Sequence, residues 1–261
     1  MAKLGVGEKA ERIVELFRSR RPTQTLPPEL YPADLDEAYA IRSAFQEIEE
    51  ARGRGAVAGY KIGLTTPVMQ SLCGIGEPCY GAIFAREVYH RRAELAAADH
   101  CRLGVETEIA FRLGEELSHG ADIGSIAAAV ESCMAAIELI EDLNYDYKRL
   151  DAAAMVAGNV WNAGVVLGTP VTGWRSRDLA RATARLSING REIGNGKGAD
   201  VLGNPLNALA WLADKLAAAG TPLGRGMIVM TGSMVPIQYP AAGDRVIVEV
   251  SGLGSAELVL R

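Results

Sequence analysis

Three glutamates and one lysine are the side chains of this sequence whose types and spacing could do chemistry. Glu106 and Glu108 lie in Gly-Val-Glu-Thr-Glu-Ile-Ala-Phe-Arg-Leu, which alternates with period two. Such a strand puts Val105, Thr107, Ile109, Phe111 and Leu113 on one face and Glu106, Glu108, Ala110 and Arg112 on the other. Carboxylates at i and i+2 of a strand have Cα atoms about 6.5 to 7 Å apart, close enough to share one hard cation. A lone E-x-E also marks the wet side of a half-exposed strand. Glu138 lies inside Ala-Ala-Ile-Glu-Leu-Ile, where a buried carboxylate must be compensated or stay protonated. A divalent ion shared with the strand pair would compensate it, and oxygen ligands without nearby histidine favour Mg²⁺ or Mn²⁺ over zinc. The plainer alternative leaves Glu138 facing solvent beside Glu141 and Asp142, and spacing alone does not choose.

Lys61, in Tyr-Lys-Ile-Gly, is a cation within an apolar strand beside a glycine that lets a ligand come close. Desolvated there it could act as acid, base or ammonium clamp; a snorkelling surface lysine is the plainer reading. Lys197 sits in a flexible-looking Gly-Asn-Gly-Lys-Gly loop, either gripping a second substrate carboxylate or solvated. Gly194, Gly196 and Gly198 lack the strand-to-helix spacing of a phosphate-binding loop, which excludes that reading. His90, His100 and His119 share no spacing and read as surface residues. Cys79 has no partner histidine and reads as a small buried thiol.

The elements that must position these groups follow from periodicity and punctuation. Ile13, Leu16 and Phe17 at helical spacing predict an amphipathic helix over Glu8 to Arg18. Pro22, Pro27 and Pro28 enforce a loop, and Asp34 with Glu37 opens a second helix along Leu35, Ala38, Ile41, Phe45 and Ile48. From Ala56 the chain turns strand-like. Thr65-Thr66-Pro67 caps a short helix and GIGEPCYG reads as a loop. A helix from about Ile123 to Met134 leads into a strand carrying Glu138, and Asn159 to Gly168 reads as another strand. Asn204-Pro205 starts a helix ending at Gly220, and the tail, MIVMTG, DRVIVEVSG and SAELVLR, is strand-rich. The expectation is an α+β fold in one unit of residues 1–261, with a helical segment at 1–55 and a β-rich catalytic region at 56–261.

Composition narrows the function classes. The 261 residues are 49% hydrophobic, enough for a sizeable core without metal or disulfide staples. A net charge of -5 with interspersed signs offers no basic stripe for nucleic acid or an anionic membrane. No apolar run approaches the roughly 20 residues that span a bilayer, and the first residues hold no long apolar core of a leader. Four cysteines, at 73, 79, 101 and 133, form no C-x-x-C pair, so a reducing cytoplasm is the expected setting.

Motifs spread along most of the chain carry a resemblance. They are Asp36-Glu37-Ala38-Tyr39, Lys61-Ile62-Gly63-Leu64-Thr65, Glu77-Pro78 with Tyr80-Gly81, Val105 to Ala110, Ala136 to Ile140, Val201 to Pro205, Thr231-Gly232-Ser233, Gly243-Asp244 and Gly252 to Ser255. In these motifs the chain resembles the fumarylacetoacetate hydrolase superfamily, in its branch of 2-hydroxypentadienoate (2-oxopent-4-enoate) hydratases and 4-oxalocrotonate decarboxylases. The resemblance implies a β-rich roll or sandwich preceded by helices, with Mg²⁺ or Mn²⁺ held by Glu106, Glu108 and Glu138 and catalysis assisted by Lys61. It puts substrate contacts at Leu64, Cys79, Asn159, Trp161 and Thr231, with Lys197 as the candidate for a far carboxylate. It also implies a homo-oligomer, and a paralogous pathway enzyme as a further partner.

Two departures from the branch's pattern stand out. Cys79 replaces the aspartate usual in the hydratases' E-P-D-[FY]-G loop, and Gly158-Asn159-Val160-Trp161-Asn162 replaces their D-N-A-x-x segment. The leading expectation is hydration of a 2-hydroxy-2,4-dienoate to a 4-hydroxy-2-oxo acid, as in aromatic catabolism. Decarboxylation of a 4-oxalocrotonate-type 2-oxo diacid is the alternative, favoured by an uncharged residue at position 79. A non-catalytic partner subunit is a reading from another class, and acylpyruvate-type C–C hydrolysis is disfavoured because no histidine falls beside a site for a nucleophilic water.

Overall fold

The computed structural model describes residues 4–118 and 122–261, so His119 lies outside the described residues. Helices lead the chain. Helix α1, Val6–Ser19, and helix α2, Leu35–Glu49, pack through Ile13, Val14, Ile41 and Phe45, all buried. Each such side chain contributes about 1.5–3 kcal/mol on burial. Asp34 caps α2 by accepting from Glu37 N at 2.8 Å. The Glu37 carboxylate accepts from Ala33 N and, at 2.8 Å, from buried Lys9 Nζ, which ties α1 to the start of α2.

Strand β1, Val57–Gly63, is followed by helix α3, Pro67–Leu72, whose N-cap is Thr66. Next come β2, Cys79–Phe84, β3, Val88–His90, β4, Arg92–Leu95, and β5, Leu103–Leu113. Helix α4, Ile123–Ala129, runs into β6, Val130–Glu141. Helix α5, Ala152–Ala157, precedes β7, Asn162–Leu167, and then β8, Thr183–Ile188, with β9, Arg191–Lys197. Helix α6, Pro205–Ala218, starts behind an Asn204 cap. The chain ends in β10, Ile228–Met230, β11, Val235–Gln238, β12, Arg245–Val250, and β13, Gly254–Leu260.

The strands form two sheets. The larger has the order β2-β1-β10-β5-β6-β7-β3, with β11 pairing onto β5; the smaller has the order β4-β13-β12-β8-β9. Period-two alternation decides which face goes where. Val105 of β5 and Ile137 and Leu139 of β6 meet Leu186, Val246 and Leu258 of the smaller sheet. Ile109 and Phe111 join the cluster holding Leu209, Leu212 and Leu216 of α6. The opposite face of the larger sheet carries the glutamates. Mixed helices and sheets with helices leading match the expected α+β roll, and no helix among the described residues is long and apolar enough to cross a membrane.

Three elements differ from the expectation. The helix starting at Ile123 ends at Ala129, and Val130 to Met134, expected as its last turns, open β6. Pairing with β5 along Phe111↔Cys133 and Ala110↔Met134 overrides the helix propensity of that alanine-rich stretch. GIGEPCYG is only half a loop, because Cys79, Tyr80 and Gly81 pair with Gly63, Ile62 and Lys61. Asn159, Val160 and Trp161 are not extended: all three are left-handed, with φ of 56°, 49° and 58°, and β7 begins at Asn162.

Candidate active site

Strand register brings the acids together. Glu106 stands directly opposite Glu138 across the antiparallel pair β5 and β6, and Glu108 stands opposite Ala136, whose small side chain leaves room beside it. One oxygen from each of the three carboxylates lies within 4.8 Å of the others. Glu108 and Glu138 are fully buried, while Glu106 is half-buried and lines the adjoining cavity. Lys61 approaches from β1 on the same face, since Lys61 pairs with Met230 of β10 and Met230 with Ala110 of β5. Its ammonium sits 3.0 Å from Glu138 Oε1, and its side chain is only 3% exposed, so it does not snorkel.

Neutral donors complete part of the shell. Asn162 Nδ2 donates to Glu138 Oε1 at 3.0 Å, and the Gly232 amide donates to Glu108 Oε2 at 2.8 Å. Gly232 has φ 112°, and a Cβ there would lie 2.5 Å from Thr65, so only glycine turns its N–H onto the carboxylate at this point. Glu108 Oε1 and Glu138 Oε2 remain buried without a hydrogen-bond partner. Three ionised carboxylates against one ammonium would leave two uncompensated negative charges in a largely buried site, and burial penalises that state heavily.

The titration behaviour follows. Burial pushes Glu106 up to about 7, with Glu138 adding to the rise and Lys61 opposing it. Burial, then Glu138 and Glu106, push Glu108 well above the usual carboxylate range. Burial alone would lower Lys61, but Glu138, Glu106 and Glu108 outweigh it and hold the ammonium charged. A divalent cation fits this donor set: the oxygens converge, two lack partners, and the unbalanced charge is -2. An all-oxygen set suits a hard ion such as Mg²⁺ or Mn²⁺.

A cavity of about 420 Å³ opens from Lys61 and Glu106. Leu64 and Trp161 line it. Trp161 owes its place to the left-handed turn at 159–161, and Leu64 is itself left-handed at φ 58°. Such backbone costs about 1–3 kcal/mol per residue and persists where the surroundings over-determine it. Here Asn159 fixes the turn. Its side chain accepts from Ala82 N at 2.7 Å and donates to Ala82 O at 2.9 Å. A Cβ on Gly81 would lie 2.4 Å from Asn159 O, which explains that glycine.

Asn159 was expected to touch substrate, yet its amide is committed to β2 and it does not line the cavity. Thr231 was placed there too, but it is fully buried and its hydroxyl donates to Ile109 O at 2.8 Å. Cys79 lies beneath the cavity floor with Sγ 3.5 Å from where a Gly63 Cβ would be, and burial pushes its thiol up to about 12. Lys197 is the clearest departure. It ends β9 as an exposed residue beside Arg185 and Glu249, in a concavity separate from the glutamates. Its glycine neighbours serve packing: a Cβ on Gly196 would lie 1.8 Å from Met234 O, and one on Gly198 1.9 Å from Leu179 O.

Several neighbours of the site have no signal in the local sequence. Asn162 and the Gly232 amide contact the glutamates, and Ile140, Tyr147, Met155 and Ile237 wall the cavity. Only Ile140 carried a local signal, since it lies two residues from Glu138 on the same face of one strand.

Comparison with known proteins places this geometry. The family model for the fumarylacetoacetate (FAA) hydrolase C-terminal region matches residues 84–261. A 2-keto-4-pentenoate hydratase of Paraburkholderia phymatum is 34% identical over 249 residues, covering 94% of each chain. A 2-hydroxyhexa-2,4-dienoate hydratase of Comamonas testosteroni is 32% identical over 253 residues, 96% of this chain and 95% of that one. Among solved structures, 4-oxalocrotonate decarboxylase from Pseudomonas putida G7, complexed with magnesium and adipate, superposes with a TM-score of 0.90 at 25% identity, covering 98% of this chain and 97% of that one. With the family model matching well over half its length, the chain belongs to the fumarylacetoacetate hydrolase family.

Proposed function

We propose that this protein is a divalent-metal-dependent hydro-lyase that adds water to a 2-hydroxy-2,4-dienoate, in its 2-oxo-4-enoate form, to give a 4-hydroxy-2-oxo acid. The observation that carries the reading is the convergence of Glu106, Glu108 and Glu138 beside a buried, charged Lys61 at the inner end of a largely apolar cavity. The two relatives named above as hydratases support it. Mg²⁺ or Mn²⁺ is the ion proposed, and the magnesium complex of the decarboxylase supports a divalent cation of this kind.

When bound by the three glutamates, such an ion supplies Lewis acidity and fixed positive charge for an acid's carboxylate and 2-oxygen. The chain's own groups do the rest. Lys61 presents a charged ammonium at the cavity's inner end, where it orients the anionic head and stands ready to donate a hydrogen bond at Nζ. Asn162 and the Gly232 amide hold Glu138 and Glu108 in place, and side chains that support a site's ligands in this way typically matter 10–100-fold. Leu64 and Trp161 keep bulk water from the head group, which strengthens every charge interaction there. Replacing Glu106 by alanine tests the reading. Folded Glu106→Ala is expected to lose dienoate hydration by about a hundredfold or more, and retention of wild-type turnover at saturating Mg²⁺ would reject it.

The second reading is decarboxylation of a 2-oxo diacid, favoured by uncharged Cys79 beneath the site and by the likeness to the decarboxylase. The same enzyme preparation decides between them: release of carbon dioxide from 2-oxohex-3-enedioate against water uptake by 2-hydroxypenta-2,4-dienoate.

A further inference from the structure

We infer that the substrate carries an apolar substituent, alkyl or aryl, at the end of its chain remote from the carboxylate, and no second acid group; this rests on the hydratase reading above. The cavity's size is the first observation. A void of roughly 150 Å³ holds a benzene ring, whereas this one is about 420 Å³, far more than a five-carbon acid fills.

Its direction is the second. On β5 and β6 the glutamate face continues from the pair Glu106 and Glu138 to the pair Gly104 and Ile140, about 6.5–7 Å further along. At Gly104 there is no side chain, and Ile237 packs over it, with Cδ1 2.5 Å from where a Cβ would stand. In the other direction Glu108 is held by the Gly232 amide, and Gly232 packs against Thr65. Past Ile140 the cavity is lined by Leu150, Met155 and Leu72. The last two regions adjoin, because Ala152 N donates to Cys73 O at 3.2 Å and draws the end of α3 against the start of α5.

Charge is the third. Among the described residues lining the cavity Lys61 is the only cation, and it is paired with Glu138. The remaining charged residues of the lining are acids, Glu106 and Asp200. Arg102, whose guanidinium lies 5.7 Å from the centre of the Tyr147 ring, is held by Asp142 in two bonds of 2.8 and 2.5 Å. The Tyr147 hydroxyl is committed as well, to Asp142 and Tyr239, so the residue offers the cavity its ring. A distal carboxylate against this wall would give up hydration and meet no free cation among the described lining residues, while each buried methylene gains affinity.

The test separates binding from turnover. Calorimetric titration of the Mg²⁺-loaded enzyme with 2-oxopentanoate, 2-oxooctanoate and 2-oxoadipate reads the far end directly. The expected gain is about three- to fourfold in affinity per methylene, so 2-oxooctanoate binds about thirtyfold or more tighter than 2-oxopentanoate, and 2-oxoadipate binds more weakly than either. Equal affinities along the alkyl series, or tightest binding of 2-oxoadipate, would overturn the inference. Leu72, half-exposed at the rim, tolerates a charge, and Leu72→Arg is expected to narrow the octanoate-to-adipate ratio at least about tenfold; an unchanged ratio in the folded variant counts against it. Tail-dependent binding without turnover of either 2-hydroxypenta-2,4-dienoate or its 6-phenylhexa homologue upholds the inference and removes the hydratase reading alone.

Discussion

Lys61 Nζ stands 3.0 Å from Glu138 Oε1 with both side chains sealed from solvent, so each is the other's chief compensation in a site of surplus negative charge. Removing one partner of such a pair strands the other, which costs about 3–5 kcal/mol. Lys61→Met is therefore expected to destabilise the metal-free protein by that order and to recover much of the loss on adding Mg²⁺, because the stranded carboxylate gains a stronger partner. The same variant loses dienoate hydration while binding the ion more tightly, since one repelling positive charge has gone. Thermal unfolding with and without Mg²⁺, beside a calorimetric metal titration, checks both signs.

The pH dependence of the metal-free protein follows from Glu106. Its folded-state value, about 7, lies above the unfolded value near 4.5, so between these limits the folded state binds more protons than the unfolded chain. Stability accordingly falls as pH rises through that window, and Glu108, pushed up by burial and its neighbours, extends the decline in the same direction. Bound metal replaces those protons, so apparent Mg²⁺ affinity rises as pH climbs toward and past 7. Melting curves in chelator from pH 5 to 8 are expected to slope downward and to flatten with saturating Mg²⁺; a rising slope in chelator would contradict the assignment.

Much of this was legible in the sequence because it is local. Period-two alternation put Glu106 and Glu108 on one face, and caps at Asp34, Thr66 and Asn204 marked three helix starts. What local pattern could not supply was register. Whether Glu138 meets Glu106 or solvent depends on one strand pairing between residues 32 positions apart, and a slip of one residue would turn it to the other face. The left-handed turn at 159–161 was hidden for a related reason: Asn159-Val160-Trp161 has strand-like composition, and its conformation is imposed by Ala82 from a distant strand. For Lys197 the local pattern left gripping and solvated alternatives open; the structure exposes it, and the glycines around it permit close packing against Met234 and Leu179.

Asn162 makes a prediction about ion binding. It gives Glu138 Oε1 a second donor beside Lys61, and its own Oδ1 is buried without a partner. Asn162→Ala removes the donor without adding charge, and is expected to weaken Mg²⁺ binding about 10–100-fold. Asn162→Asp places a fourth carboxyl beside Glu138 and strengthens repulsion in the metal-free state. The pair of variants should therefore differ in the pH dependence of metal affinity, which calorimetry at two pH values reads.

Asn159 links backbone strain to substrate binding. Its amide makes two buried hydrogen bonds to Ala82, and its φ of 56° is one that asparagine tolerates better than most residues. Asn159→Ala loses both bonds and leaves the Ala82 N–H and C=O unsatisfied, at about 1–3 kcal/mol per stranded group. Asn159→Gly loses the same bonds but removes the Cβ penalty at positive φ, so it should be the more stable of the two by about 1–2 kcal/mol. Neither touches the glutamates, so ion affinity stays near wild type in both. What shifts is Trp161, two residues on, whose ring packs on Tyr145 at 5.1 Å between centroids and walls the cavity. Both variants are then expected to raise KM for a dienoate by more than they lower kcat, with the larger change in the alanine variant. A fall in kcat at unchanged KM would instead mean that the turn acts on the head group rather than on the cavity wall.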